Sequence, residues 1–223
     1  MTMKPDLRKF ALTTHIALSG SWIGAVFAYL ALVVAAMTSQ SDQTLRAAWI
    51  AMELIGWYLI VPLALASLLT GFVMSLGTRW GLFRHYWVLI SFMLTAVATV
   101  VLMRHMPTVT VFASVAAIAD SANVSGLRGA LREELLHAGV GVLLLLGIQA
   151  LNVYKPPGVT AYGRRRVSQV ALPPRSTDDT GPGPSLGAIE GTPRWVQVVG
   201  IHAIGLALLF VVLHLTGGGM DSH

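Results

Sequence analysis

Residues 10–37 read FALTTHIALSGSWIGAVFAYLALVVAAM, 28 residues without a single Asp, Glu, Lys or Arg. As a helix such a run reaches about 40 Å at 1.5 Å per residue. That exceeds the ~30 Å hydrocarbon core of a bilayer, so this stretch spans a membrane, tilted or with its ends among the headgroups. It is also far longer than the apolar core of a cleaved signal peptide, and no A-x-A site follows. His15, Ser19, Trp22, Val26 and Tyr29 share one helical face, and Gly20 with Gly24 forms a GxxxG on an adjoining face.

The rest of the chain repeats this pattern. Hydrophobic residues make up 55% and charged residues 11%, against about 25% charged in soluble domains. Further spans are expected over residues 47–76, 86–103, 135–154 and 195–216. The predicted fold is therefore an all-α integral membrane bundle of five transmembrane helices. Residues 1–154 form a four-helix region, 155–194 a flexible loop, 195–216 the fifth helix and 217–223 a tail. Seven of the ten prolines and the run Arg164, Arg165, Arg166 fall in the loop, and such a segment buries too little apolar surface to order itself. Pro62 is expected to kink the second span and Pro107 to end the third. Residues 108–119 then read as an interfacial or outward-projecting helix, and 128–134 as a polar stretch. Trp80, Tyr86 and Trp87 read as an interfacial aromatic belt. Gly71 with Ser75, and Gly139, Gly141 and Gly147, read as close-packing positions.

Basic residues set the orientation. The N-terminus, the 77–86 loop and the 155–194 loop carry eleven Lys and Arg; Arg46, Arg104, Arg128 and Arg132 sit on the other side. The positive-inside rule places the N-terminus in the cytoplasm and, with five spans, the C-terminus outside the cell membrane. The net charge of +5 thus reports topology and not nucleic-acid binding. The bilayer is the first partner. Arg164, Arg165 and Arg166 are placed to meet anionic lipid heads, and the small-residue faces suit partner membrane subunits.

The chain has no cysteine, which excludes disulfides, iron–sulfur clusters and thiolate zinc sites. No phosphate-binding loop, HExxH or GxSxG is present, so nothing points to a soluble-type hydrolase, kinase or dehydrogenase. Whether the chain is an enzyme is left open at this point. The histidines divide between the two membrane faces. His15 and His202, with His85 as an alternate, are inner candidates for cofactor binding. Imidazoles on neighbouring helices are the ligands that haem b takes within a bundle. His105, His137 and His214 form an outer group, with Met103, Met106 and Met220 nearby, a donor set suited to copper. Histidines at helix ends also reach the interface or bond between helices without any ligand. Glu53 is read as the only acid inside a span, a candidate for carrying protons or binding a cation, with Arg104 or a histidine as its structural partner.

The segment LTTHIALSGSWIGAVFAYLAL resembles the first helix of the copper-resistance D membrane proteins and of the haem-b-binding HemJ-type protoporphyrinogen oxidases. That resemblance covers one helix. It implies a haem- or metal-linked role and points to His15 as an axial ligand. The stretches LRAAWIAMELIGWYLIVPLALASLLTGFVMSLGTRWGLFRHYWVL and LLHAGVGVLLLLGIQALNVYKPPG resemble an uncharacterised group of bacterial, largely actinobacterial, integral membrane proteins. The expected function is a haem-b or copper-binding redox protein of the membrane. Two alternatives stand beside it: a small transporter or permease, resting on Glu53, Pro62 and the glycine-rich spans, and a non-catalytic accessory or assembly subunit.

Overall fold

The structure is a computed structural model that describes residues 3–77, 81–118, 124–163, 194–196 and 198. Its long elements are all helical: α1 (Pro5–Thr38), α2 (Asp42–Ile55), a π turn (Gly56–Ile60), α3 (Val61–Gly77), α4 (Tyr86–Ile118) and α5 (Val124–Tyr154). The α2–π–α3 run is one continuous rod. Four helices are thus long and apolar enough to cross a membrane: Pro5–Thr38, Asp42–Gly77, Tyr86–Ile118 and Val124–Tyr154. The chain is an all-helical, multi-pass membrane bundle. The expected fifth span lies almost wholly outside the described residues.

In α1 the buried residues Trp22, Ala25, Val26, Tyr29, Val33 and Ala36 recur at three- and four-residue steps. They continue the face predicted from Trp22, Val26 and Tyr29. The other sides are also apolar and are exposed, as at Phe10, Ile16, Phe27 and Val34. A helix that is apolar all round belongs in lipid. The second span lies between α1 and α4 on one side, and α5 lies between them on the other. The four rods therefore close a ring.

Pro62 stands just after the π turn, where Val61 N–H reaches back to Gly56 O. In a regular helix the Pro62 ring would meet the carbonyl of Tyr58, and the wider turn falls where that clash would occur. Gly56 lies against Met106, whose thioether occupies the space a side chain would take.

Pro107 does not end α4. The helix runs through it to Ile118, so residues 108–118 continue the span and are not a separate interfacial helix. Pro107 is exposed, as is Met103 one turn before it, so the disturbed backbone faces outward. The opposite side is held by burial of Met106, Val109, Ala113 and Ala116 and by Trp49 packing at a tilt against Phe112 at 4.9 Å between ring centroids. Packing here outweighs the local preference of proline. Helix α5 likewise begins at Val124 and not at residue 135. The polar stretch is its first part, with Leu127 and Leu131 buried.

Two clips fix the ends of the ring. Arg128 donates to Ser39 O at 2.9 Å and to Asp42 Oδ1 at 3.0 Å, tying the start of α5 to the α1–α2 loop. At the other end Thr160 N–H donates to Arg84 O at 2.9 Å, and the Thr160 hydroxyl bonds to Phe83 O. Residues 155–163 are thereby held to the α3–α4 turn; residues 164–193 of the expected loop lie outside the described residues. Trp87 is buried with Leu82 and Val88, with Trp195 packed against them, so it is a core residue and not part of a lipid-facing belt. Gly71 is a true close approach, to His15. At Gly20, Gly24, Gly139, Gly141 and Gly147 a methyl group would meet nothing within 4 Å among the described residues.

Trp49 is wholly buried and donates from Nε1 to Leu127 O at 3.3 Å. Trp49→Ala is expected to lower stability by about 3–5 kcal/mol. Phe10→Ala, on the outer surface, should change it by less than about 0.5 kcal/mol. Thermal unfolding in detergent checks both.

Candidate functional site

Glu134 occupies the buried stripe of α5, at the step between Leu131 and Ala138. It is 4% exposed. An isolated carboxylate in such a place costs several kcal/mol, and two neighbouring helices supply its partners. Tyr29 of α1 donates its hydroxyl hydrogen to Oε1 at 2.6 Å. His105 of α4 places Nε2 at 3.0 Å from both carboxylate oxygens. With Glu134 ionised the carboxylate only accepts, and the hydrogen of that pair then sits on Nε2. Three of the four spans meet at one side chain.

His137 completes the cluster. It stands one turn beyond Glu133, and its Nδ1 donates to the Glu133 carbonyl at 3.0 Å. Its ring stacks on that of His105, with centroids 4.3 Å apart and planes 13° from parallel. The cluster forms one end of a cavity of about 250 Å³ between α1, α4 and α5. Beyond the cluster the wall is apolar, from Trp22 and Val26 across Leu94 and Ala98 to Leu144 and Leu145. Met106 also lines it. Chemically, this is a head of tyrosine, carboxylate and imidazole, side chains of the kind that can exchange protons, set on an oily chamber.

The outer group predicted from sequence is brought together in part. His105 and His137 touch, and Met106 is beside them; Met103 points outward, 44% exposed. His214 lies outside the described residues, as do His202 and Met220. His15 is half-buried, with Nδ1 at 3.0 Å from Thr70 Oγ1. The Thr70 hydroxyl hydrogen goes to Ala66 O at 2.8 Å, so Thr70 accepts from His15 Nδ1–H and the imidazole lone pair is on Nε2. Gly71 leaves the room: a methyl group there would lie 3.2 Å from His15 Cε1. His85 sits in the α3–α4 turn, where its backbone pairs with Val159. Among the described residues no group of three His, Cys, Asp or Glu side chains is arranged to hold a metal ion.

Glu53 is half-buried on α2, and Arg104, its suggested partner, is exposed. The expectation that Glu53 is the only acid inside a span is corrected, because α5 starts early enough to carry Glu134 into the bundle. A signal was present in the sequence. Leu127, Leu131, Glu134, Ala138 and Val142 follow the three- and four-residue steps of a buried helical face. Extending the apolar stripe of α5 backward through the charged REE triplet would have found Glu134.

Tyr29→Phe is expected to destabilise the protein by about 1–3 kcal/mol, since it leaves a buried acceptor short of a donor. His105→Ala and Glu134→Ala should each cost about 3–5 kcal/mol and combine to much less than their sum. Glu53→Gln should stay within about 0.5 kcal/mol. A double-mutant cycle read by thermal unfolding in detergent checks the coupling. Comparison with known proteins adds no name to this arrangement: no protein-family model, curated protein or solved structure matches the chain.

Proposed function

We propose that this chain is a cell-membrane protein that binds a lipid-soluble amphiphile in the α1–α4–α5 cavity and exchanges a proton with it at Glu134, in a redox-linked role. The positive-inside count puts the N-terminus in the cytoplasm and, with a fifth span over 195–216, the C-terminus outside. The Glu134 cluster then lies toward the outer face. The observation that carries the reading is a 4% exposed carboxylate, bonded to Tyr29 and His105, in the wall of an otherwise apolar chamber. Ionisable groups within spans are costly and mark substrate, ion or proton paths. Tyrosine, carboxylate and imidazole in series are groups that take up and release protons by changing hydrogen-bond partners.

A second reading has its own support. Metal-binding histidines are held by a hydrogen bond through the nitrogen that does not ligate. The Thr70 bond to His15 Nδ1 leaves Nε2 with the lone pair, which suits an axial ligand of haem b with His202 as its partner. Protein made with haem supplied would show a Soret band that His15→Ala removes and Glu53→Gln keeps. A colourless protein ends this reading.

For the leading reading, the test is calorimetric titration in two buffers of different ionisation enthalpy. Decylubiquinol, dodecanol and dodecylamine serve as probes. At least one should bind with net proton uptake or release, and Glu134→Gln should remove the proton exchange. If none binds, the reading fails.

A further inference from the structure

We infer that the cavity takes a lipid whose head is a hydroxylated ring, a hydroquinone or related phenol, with its hydroxyl donating to the oxygens of Glu134 and Tyr29. This rests on the ligand-binding reading above and names the class of ligand.

The way in is from the bilayer. Leu143 of α5 and Val97 of α4 both line the cavity, yet they are 70% and 46% exposed. Among the described residues the chamber is therefore open between these two helices, on an apolar surface. Its lining on α5 runs from Glu134 to Leu145, which is about 16 Å along the helix at 1.5 Å per residue. A long, narrow, oily slot of this kind suits a single hydrocarbon or isoprenoid chain lying along the helices, with its head at Glu134.

The hydrogen-bond inventory at that head selects the ligand chemistry. The Tyr29 hydrogen is committed to Glu134 Oε1, and the His105 Nε2 hydrogen is shared between both carboxylate oxygens. Oxygen lone pairs remain on Glu134 and on the Tyr29 hydroxyl. A head group that donates a hydrogen fits them; a ketone or an ether adds a further acceptor where acceptors are already in excess. A fatty carboxylate would set like charge against Glu134. A ring is favoured over a simple alcohol by the walls: Tyr29, His105 and His137 line the cavity together with Glu134, and the two imidazoles already stack flat. Planar faces of this kind accept another planar ring by stacking.

The experiment is calorimetric titration of the full chain in lipid nanodiscs, under anaerobic conditions, with four probes. These are decylubiquinol, its di-O-methyl ether, decylubiquinone and dodecylamine. Decylubiquinol should bind at least about tenfold more tightly than the ether or the quinone, the difference one good hydrogen bond makes. Tyr29→Phe should shrink that preference several-fold, and Leu143→Trp, which fills the mouth, should abolish binding of all four. Phe10→Ala should leave binding unchanged. Melting curves show that each variant is folded. Equal affinity for decylubiquinol and its ether overturns the assignment of the head, while the ligand-binding reading survives. Tighter binding of dodecylamine overturns it in favour of a cationic lipid. Binding by none of the probes overturns both.

Discussion

The carboxylate of Glu134 is the constraint on which the bundle depends. Hydrocarbon offers it no hydrogen bonds, so the helices around it must. Tyr29 reaches it from α1 and His105 from α4, and the side chain itself belongs to α5. These bonds fix both the rotation of each helix about its axis and its height relative to the others. A slip of one residue in any of the three would move its donor or acceptor about 100° around the helix, at 3.6 residues per turn. The residues that make these bonds also line the chamber beside them.

Elsewhere the association of the spans must come from packing, since lipid chains are as apolar as the side chains they compete with. The structure meets this need at a few close approaches. Gly56 receives the Met106 thioether, Gly71 receives the His15 ring, and Trp49 fills the space between α2, α4 and the start of α5. The π turn belongs with these. It lets the second span pass Pro62 while presenting Gly56 to α4 and Ile60 to the cavity. The two disturbed stretches of backbone, the π turn and Pro107, lie at Met106 and its neighbour, on helices that pack together.

The membrane class and the first four spans were legible in the sequence, because a charge-free run of 28 residues has few other homes. So was the buried face of α1, from the spacing of Trp22, Val26 and Tyr29. The ends of α4 and α5 were not. Local rules read Pro107 as a stop and the REE triplet at 132–134 as part of a polar stretch outside the span. Both are overridden by contacts with residues far away in the chain: Trp49 for α4, and Tyr29 and His105 for Glu134. His105 and His137 were assigned to one outer group from their places at helix ends, but that their rings meet could not be read from the sequence. What the spacing could not supply was that the group centres on an acid. Glu53 carried that role in the sequence because it is surrounded by apolar residues in the chain, whereas Glu134 is surrounded by them only in space.

The contact between Glu134 and His105 joins α5 to α4 inside the bundle. Solid-state NMR of the full chain in bilayers, with ¹³C-labelled glutamate and ¹⁵N-labelled histidine, measures it directly. A through-space peak between the Glu134 carboxyl carbon and His105 Nε2, lost in His105→Gln, is the predicted result. A Glu134 carboxyl that shows contact with water protons and none with imidazole nitrogen would contradict it.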